Sequence, residues 1–219
     1  MMSYAIEMIK VECDGGVHEF SSETTVGKVI KKVYGKKSGA IAALVNDEEK
    51  DLSHLLLEDC RIELIDASSK EGSYIIRHSC AHLLAQAVTE LFPDAKPTIG
   101  PPIDEGFYYD FYMDPIDEND LRKIEKLMKK IIKQNIPIEW EEHNNETLRE
   151  MFSDNPFKIE IMDEKIGEEV GSSAYRQGKF VDLCRGPHVE STGKLKWFKL
   201  TNTSQAFWRA DSSCLLYTS

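Results

Sequence analysis

The sequence predicts an α+β fold in which a small sheet-rich unit precedes a larger unit built on a long helix. Three observations lead to this prediction. Short β-rich runs flank one amphipathic segment in residues 1–66, a polar stretch without periodicity follows at 67–72, and helical periodicity alternates with aromatic and β-branched runs at 73–211. We therefore predict a first domain at 1–66, a linker at 67–72 and a second domain at 73–211.

Four β-rich runs and one helix account for the first domain. The runs "YAIEMIKVEC" and "GGVHEF" meet at Asp14-Gly15-Gly16, a signal for a hairpin turn. "SSETTVGKVIKKVYG" has capping residues and helical spacing, and "IAALVNDEEKDL" and "CRIELI" are typical of strands. The order strand, strand, helix, strand, strand within some sixty residues predicts a small β-grasp, ubiquitin-like domain.

The second domain is predicted to open with a helix from about Ser73 to Phe92, which Pro93 ends. Two histidines, His78 and His82, fall on the side of this helix opposite its apolar stripe. A histidine that only packs in the core would lie within the stripe, so we expect these two to face a site. The stripe consists of Ile76, Cys80, Leu83, Leu84, Ala87 and Leu91.

The rest of the second domain alternates strands and helices, which predicts an antiparallel-rich sheet. "PTIGPPIDEGFYYDFYMD" predicts a Gly/Pro loop with a short aromatic strand, and "ENDLRKIEKLMKKIIKQN" predicts a second amphipathic helix. "IPIEWEEH" is typical of a strand and "NETLREMFSD" of a short helix. Further β-rich segments are predicted at "FKIEIMD", "SAYRQGKFVDLCRGPHV" and "KWFKLTNTSQAFWR".

Composition excludes several classes of protein. The 219 residues contain no apolar run of membrane-spanning length, and the N-terminus lacks a secretory pattern. Five cysteines, an odd number without framework spacing, fit a reducing cytoplasm. The net charge of −11 argues against non-specific nucleic-acid binding, so any RNA contact has to be local.

Two pairs of metal-capable residues share one spacing. His78 and His82 lie four residues apart, and Cys184 and His188 repeat that interval across Gly186-Pro187, which precludes a regular helix. Three interpretations remain open. The residues could simply pack, they could bind zinc through three imidazoles and a thiolate, or they could form a metal-free pocket that orients water and an ester.

Several longer motifs resemble the editing region of bacterial threonyl-tRNA synthetases. These motifs are "IIRHSCAHLLAQAV", "IGPPIDEGFYYDF", "NPFKIEI", "FVDLCRGPHV" and "FKLTNTSQAFWRADS". The preceding unit, with "GGVHEF", "TTVGKVI" and "LVNDEEKDLSHLLLEDCRIELI", resembles the TGS domain of the same family. The resemblance spans roughly residues 4–211. Editing domains of the alanyl type share the two paired motifs but no preceding TGS domain, so they resemble the chain less.

The resemblance implies a hydrolase that removes serine attached by mistake to threonine tRNA. Serine lacks one methyl group of threonine, a difference worth only about 1–3 kcal/mol in binding, so a second site is needed for accuracy. The resemblance implies that His78, His82, Cys184 and His188 line the hydrolytic pocket. Spacing alone does not decide whether they hold a metal.

The same resemblance assigns roles to four further residues. Asp182 is expected to accept a hydrogen bond from the serine amine or from a pocket imidazole. Lys158, in "NPFKIEI", is expected to hold the attacking water or the terminal ribose. Gly100 and Tyr109 match the loop and strand that flank the family's pocket, and we expect them to contact substrate.

Cofactors and partners follow from the family. Editing is expected to need no cofactor, with zinc as the alternative, whereas ATP, magnesium and zinc belong to an aminoacylation domain that is expected beyond Asp211. The expected partner is the 3′ end of tRNA(Thr) carrying serine. The chain alone is expected to be monomeric and cytoplasmic, and the parent enzyme a homodimer.

Two other functions stay open: another zinc-dependent ester hydrolase, and a non-catalytic TGS-containing module that senses RNA or nucleotide.

The last eight residues, 212–219, break the pattern of the domain. "SSCLLYTS" is apolar and lacks turn residues, and one back-translation of "CLLYTS" resembles an adapter used in sequencing libraries. We therefore expect 212–219 to be a non-native tail.

Overall fold

The computed structural model describes residues 7–164, 173–208 and 215–218. The chain divides into two compact units, Met1–Ile76 with Gly186–Glu190, and Arg77–Arg185 with Ser191–Ser219. Both mix α-helices with sheets that are mainly antiparallel. Within the described ranges, no helix is long and apolar enough to cross a bilayer.

A five-stranded sheet with one helix forms the first unit. The sheet order is β2-β1-β7-β4-β5, in which β1 and β7 are parallel and the other neighbours antiparallel, and β3 pairs with β6 separately. The elements are β1 (Met8–Cys13), β2 (Gly16–Ser21), β3 (Thr24–Thr25), α1 (Val26–Val33), β4 (Ala40–Val45), β5 (Glu48–Asp51), β6 (Leu55–Leu56) and β7 (Cys60–Asp66).

Local signals in the first unit act as predicted. Asp14 and Gly15 both have positive φ, 53° and 70°, as a two-residue hairpin turn requires, so the predicted hairpin is confirmed. Thr25 caps α1 by accepting a hydrogen bond from the Lys28 backbone N–H. Alternate residues of β1 point inward and pack against α1, which forms the core of this unit.

The second unit packs four helices with short sheets. The sheet orders are β15-β16-β11-β8, β12-β13-β14 and β10-β9. The elements are α2 (Lys70–Leu91), β8 (Lys96–Pro97), β9 (Pro102–Ile103), β10 (Gly106–Phe107), β11 (Asp110–Tyr112), α3 (Glu118–Gln134), β12 (Ile138–Glu142), α4 (Asn145–Met151), α5 (Pro156–Glu164), β13 (Ser173–Gln177), β14 (Phe180–Leu183), a 3₁₀ turn (Thr192–Lys194), β15 (Ser204–Phe207) and β16 (Leu215–Thr218).

Helix α2 differs from its prediction in two ways. It begins at Lys70 rather than Ser73, which shortens the predicted linker at 67–72 to three residues. Every residue from Ser79 to Val88 is buried, including His82 and Ala85, which lie opposite the apolar stripe. The middle of the expected apolar stripe, from Cys80 to Ala87, is buried as predicted, but the opposite side of the helix is buried over the same residues.

The segment "FKIEIMD" is helical, so its predicted strand is wrong. Phe157, Ile159 and Ile161 alternate with polar or charged residues, which suggested a strand. The preceding Asn155-Pro156 is a helix start, because asparagine caps well and proline suits the first helical position. The resulting α5 buries Phe157, Lys158 and Met162.

The C-terminal part of the second unit is only partly described. The predicted β-rich segment after Lys196 contains one strand, β15, and "SAYRQGKFVDLCRGPHV" contains the hairpin of β13 and β14. Within the predicted tail at 212–219, residues 215–218 form β16, which pairs with β11 and β15. The other tail residues lie outside the described ranges, and the non-native origin of the tail stays a prediction.

Candidate active site

Helix α2 presents the two predicted histidines one turn apart. The rings of His78 and His82 meet edge to face, with centroids 5.3 Å apart and an interplanar angle of 86°. Residues at i and i+4 of a helix are surface neighbours, so the spacing itself produces this contact. His82 is buried, whereas His78 is half-buried.

The hairpin of β13 and β14 delivers Asp182 and Cys184. Asp182 lies within β14, and Cys184 follows the strand directly. The Cys184 backbone is held by Ser173, whose Oγ donates to the Cys184 carbonyl at 2.7 Å. Cys184 Sγ then lies 3.3 Å from His78 Nε2, which joins two sequence motifs more than a hundred residues apart.

Asp182 is the centre of a buried polar network. Lys158 Nζ lies 2.5 Å from Asp182 Oδ1, and the Tyr109 hydroxyl donates to Asp182 Oδ2 at 2.5 Å. Lys158 Nζ also donates to the Tyr109 hydroxyl oxygen at 3.0 Å. None of the three residues is more than 3% exposed. A buried charge is tolerated when it is paired and hydrogen-bonded, and each member here has such partners.

Burial and charge act in opposite directions on the pKa of Asp182. Burial raises this pKa, but the Lys158 ammonium, together with His82 and the Tyr109 hydroxyl, lowers it, and the net pKa is below the usual aspartate value. Burial beside the Asp182 carboxylate raises the pKa of Tyr109 well above 10. Tyr109 therefore stays protonated as a donor, and Asp182 stays ionised.

His82 is a neutral imidazole at physiological pH. Burial lowers its pKa to about 3, although the Asp182 carboxylate acts in the opposite direction. Its Nε2 lies 3.6 Å from Asp182 Oδ2, and the ring of Phe180 meets it edge to face at 6.3 Å. Such an imidazole orients neighbours by hydrogen bonding but is a weak proton acceptor.

Gly100 supports the network from the loop before β9. A Cβ atom on Gly100 would lie 2.2 Å from Cδ2 of the Tyr109 ring, closer than real Cβ contacts. The absence of a side chain at 100 therefore lets the Tyr109 ring pack directly on the backbone. Gly100 thus acts on the site through Tyr109.

His188 belongs to the segment Gly186–Glu190, which groups with the first compact unit. Its side chain is buried, and its backbone N–H donates to Asp51 Oδ1 at 2.6 Å. The spacing of four residues from Cys184 remains the argument for including it in the site.

Three of the predicted ligands could hold a metal ion. His78, His82 and Cys184 each offer one ligand atom, and these atoms lie within 4.8 Å of one another. Two imidazoles and a thiol are a donor set that zinc accepts, and a catalytic zinc needs only three protein ligands. The chemistry of the donors is therefore compatible with zinc.

A cavity of about 970 Å³ opens beside the network and meets it only through Lys158. Its lining includes Phe152 and Phe180, amides such as Gln86 and Asn155, and cations such as Lys179. His78, Cys184, Tyr109 and Asp182 do not line it. The imidazole–thiol pair therefore faces elsewhere.

Sequence reasoning missed two residues of this region, Phe180 and Asn155. Phe180 orients the His82 ring, and Asn155 caps the helix that carries Lys158. An Asn-Pro helix start could have identified Asn155, but the apolar alternation that follows it favoured a strand. Nothing in the sequence distinguishes Phe180 from an ordinary core aromatic.

The comparison with known families gives one match at the C-terminal part of the second unit. Residues 173–212 match the second additional domain of threonyl and alanyl tRNA synthetases. This range includes the hairpin that carries Asp182, together with Cys184 and His188.

Curated relatives match most of the chain. It is 48% identical over 183 residues to the threonine–tRNA ligase of Thermoplasma volcanium, covering 84% of this chain and 26% of the relative. The ligase of Thermotoga maritima is 46% identical over 206 residues, covering 92% and 32%. That of Streptococcus mutans is 42% identical over 212 residues, covering 94% and 32%.

These matches support a threonyl-tRNA synthetase fragment. The chain spans about a third or less of the length of these relatives. Threonyl-tRNA synthetase relatives therefore account for nearly the whole chain, whereas the chain accounts for only part of them. The two paired motifs that first suggested a site both fall inside the part of the chain that the Thermotoga maritima relative matches.

Proposed function

We propose that the chain hydrolyses the ester of seryl-tRNA(Thr) and so removes misattached serine. The observation that carries this proposal is the Lys158–Asp182–Tyr109 network beside the imidazole–thiol group, in a chain that resembles threonine–tRNA ligases. Such clustering of buried ionisable groups is typical of catalytic sites. Discrimination of serine from threonine by binding alone is limited to about 10–200-fold, which gives an editing site its purpose.

The roles of the side chains follow from their charges. The ionised Asp182 would attract the substrate ammonium and accept a hydrogen bond from it. Lys158 and Tyr109 fix the orientation of that carboxylate. Because the low pKa of His82 makes it a weak base, we assign proton transfer to His78 and orientation to His82.

The proposed reaction is a direct hydrolysis. A water oxygen attacks the ester carbonyl carbon while His78 takes the water proton. The bond between that carbon and the ribose oxygen then breaks, and the ribose oxygen receives a proton through the vicinal hydroxyl, which His78 replenishes. The products are serine and uncharged tRNA(Thr). A pocket too small for the threonine methyl group would exclude the correct product.

A second candidate is a zinc-dependent ester hydrolase, favoured by the closeness of three ligand atoms. His78, His82 and Cys184 would hold the ion and would leave its fourth position open for water. Zinc would supply Lewis-acid polarisation and a more acidic water. In either candidate Asp182 keeps its place as the acceptor for the substrate ammonium.

The remaining assignments concern the parent enzyme. We propose that the first unit is a β-grasp TGS domain with a binding or spacing role, supported by its strand order. The parent would be a class II synthetase that ligates threonine to tRNA(Thr) with ATP, with magnesium and zinc bound outside this chain. We further propose a tRNA partner, a homodimeric parent and a cytoplasmic location.

One experiment tests these proposals together. The purified chain is incubated with Ser-tRNA(Thr) and Thr-tRNA(Thr), with and without a chelator. Selective loss of the serine ester that the chelator does not change supports the first candidate. Loss that the chelator abolishes and added zinc restores supports the second. No hydrolysis at micromolar enzyme would contradict both and favour a binding module.

Matched variants locate the activity. His78→Ala and Cys184→Ala should each reduce deacylation by at least about 10²-fold, as expected for loss of a proton-transfer group or its partner. His143→Ala and Cys60→Ala remove the same side chains away from the site and should leave the rate unchanged. Equal rates in all four variants would remove His78 and Cys184 from the mechanism.

A further inference from the structure

The residue that starts α5 is almost completely buried. Asn155 is 5% exposed and precedes Pro156, the first residue of the helix. Its side-chain Oδ1 accepts from the Lys158 backbone N–H at 3.3 Å, and its carbonyl oxygen accepts from the same N–H at 3.1 Å. Asn155 therefore holds the backbone of the residue whose ammonium reaches Asp182.

The other end of the same amide binds a different element. Asn155 Nδ2 donates to the Pro97 carbonyl at 2.8 Å. Pro97 lies in β8, which pairs with β11 at Phe111, and the next residue, Thr98, donates from its backbone N–H to the Asp110 carbonyl at 2.9 Å. Tyr109 directly precedes that strand, so Asn155 also holds the element that positions Tyr109.

We infer that Asn155 is a positioning residue that fixes Lys158 relative to Tyr109 so that both reach Asp182. This inference rests on the proposed function. One buried amide links the two elements, because its oxygen caps the lysine helix and its nitrogen binds the strand beside the tyrosine. A helix cap alone needs only the oxygen, and a solvent-exposed asparagine would serve for that.

The network needs such a link because small displacements of its members would break its hydrogen bonds. Lysine has a long flexible side chain, and its ammonium must meet both Asp182 Oδ1 and the Tyr109 hydroxyl. A shift of about 1 Å in a supporting element can reduce catalysis about 10²-fold. Because Asn155 caps α5 and also binds the neighbouring strand, it restricts movement of Lys158 relative to Tyr109.

Two substitutions at Asn155 distinguish the bond that caps α5 from the bond to the Pro97 carbonyl. Asn155→Asp keeps an oxygen for the cap but loses the amide donor to Pro97, whereas Asn155→Ala loses both. In steady-state deacylation of Ser-tRNA(Thr), we expect both variants to lower kcat about 10–100-fold, with KM changed less than about threefold. A wild-type kcat in Asn155→Asp would overturn the inference.

Asn144→Ala is the matched control. Asn144 caps α4 by accepting from the Thr147 backbone N–H at 2.8 Å, in the same unit, but it is exposed and caps a different helix from the one that carries Lys158. Its loss should lower thermal stability as any lost cap does, while kcat stays at the wild-type value. A fall in kcat equal to that of Asn155→Ala would show that capping alone matters and would overturn the inference.

A double-mutant cycle tests whether Asn155 acts through the lysine. Once Lys158→Ala has removed the ammonium, adding Asn155→Ala should cause little further loss of kcat. Losses that multiply across the two substitutions would contradict the inference, because Asn155 would then act independently of Lys158.

An NMR measurement keeps the inference testable without activity. A buried, paired ammonium exchanges its protons slowly, so Lys158 should give an observable Nζ signal in the wild type and in Asn144→Ala. That signal should broaden or vanish in Asn155→Ala. If the wild type does not hydrolyse Ser-tRNA(Thr), the proposed function fails, and the inference is judged by this signal alone. An unchanged Lys158 signal in Asn155→Ala would overturn it.

Discussion

Burial determines the charge state of His82, and this has a measurable effect on stability. Its pKa is lowered to about 3 in the folded chain, against an ordinary value of 6.5 that applies to the unfolded chain. Between these two values the unfolded state binds more protons than the folded state. The contribution of His82 to the free energy of unfolding is therefore fully present above pH 6.5, and it is lost as pH falls toward 3.

This loss predicts a steeper acid dependence for the wild type than for a His82→Asn variant. In chelator-treated protein, His82 should contribute a slope of up to about 1.4 kcal/mol per pH unit between pH 6 and 4. Urea unfolding at a series of pH values measures the free energy of unfolding for both proteins. Parallel curves over this range would show that His82 titrates normally.

Gly100 is a second residue whose effect can be calculated from geometry. Because a Cβ atom would meet the Tyr109 ring at 2.2 Å, Gly100→Ala should displace that ring and destabilise the fold by about 1–3 kcal/mol. The displaced hydroxyl would also weaken its bond to Asp182, so deacylation should fall.

Gly106→Ala provides the comparison for Gly100→Ala. Gly106 lies in β10, and a Cβ atom there would meet nothing within 4 Å. Its free energy of unfolding and deacylation rate should therefore stay close to those of the wild type. Equal destabilisation by the two alanines would contradict the proposed contact between Gly100 and Tyr109.

At the scale of elements, the burial of helix α2 lets us predict how one larger side chain changes the free energy of unfolding. Ala85 is fully buried, although it lies opposite the apolar stripe that sequence periodicity predicts. Ala85→Leu should therefore overpack the unit and cost about 1–3 kcal/mol of unfolding free energy. An exposed position on α3 is the control, and Lys130→Leu should change stability by less than about 0.5 kcal/mol. If Ala85→Leu were as stable as the control variant, position 85 would not be buried as the structure has it.

The elements also show how far sequence reasoning reaches. The hairpin at Asp14-Gly15 and the cap at Thr25 depend on neighbouring residues, and both were predicted. The burial of α2 depends on which segments cover it, and no periodicity within 22 residues carries that information. In α5 two local signals compete, and the Asn-Pro start prevails over apolar alternation because a capped helix satisfies its first N–H groups.

The candidate site divides in the same way. The spacing of His78 and His82 predicted that these two side chains are neighbours, because i, i+4 geometry within a helix is local. The distance of 3.3 Å between Cys184 Sγ and His78 Nε2 depends on two segments meeting in the fold. The network around Asp182 was only partly predictable, since Lys158 reaches it from a helix that the sequence had suggested to be a strand.

At the scale of the whole molecule, the chain leaves its first unit after Ile76 and returns to it at Gly186. The backbone N–H of His188 donates to Asp51 Oδ1 at 2.6 Å, and both residues belong to that unit.

A hydrogen bond to a charged acceptor contributes about 1.5–3 kcal/mol. Asp51→Ala should therefore increase hydrogen exchange of the His188 amide at least about tenfold, because 1.4 kcal/mol corresponds to a factor of ten. Asp47→Ala removes an exposed carboxylate that pairs with Arg61 and should leave that amide unchanged. Equal exchange in the two variants would show that Asp51 does not anchor this segment.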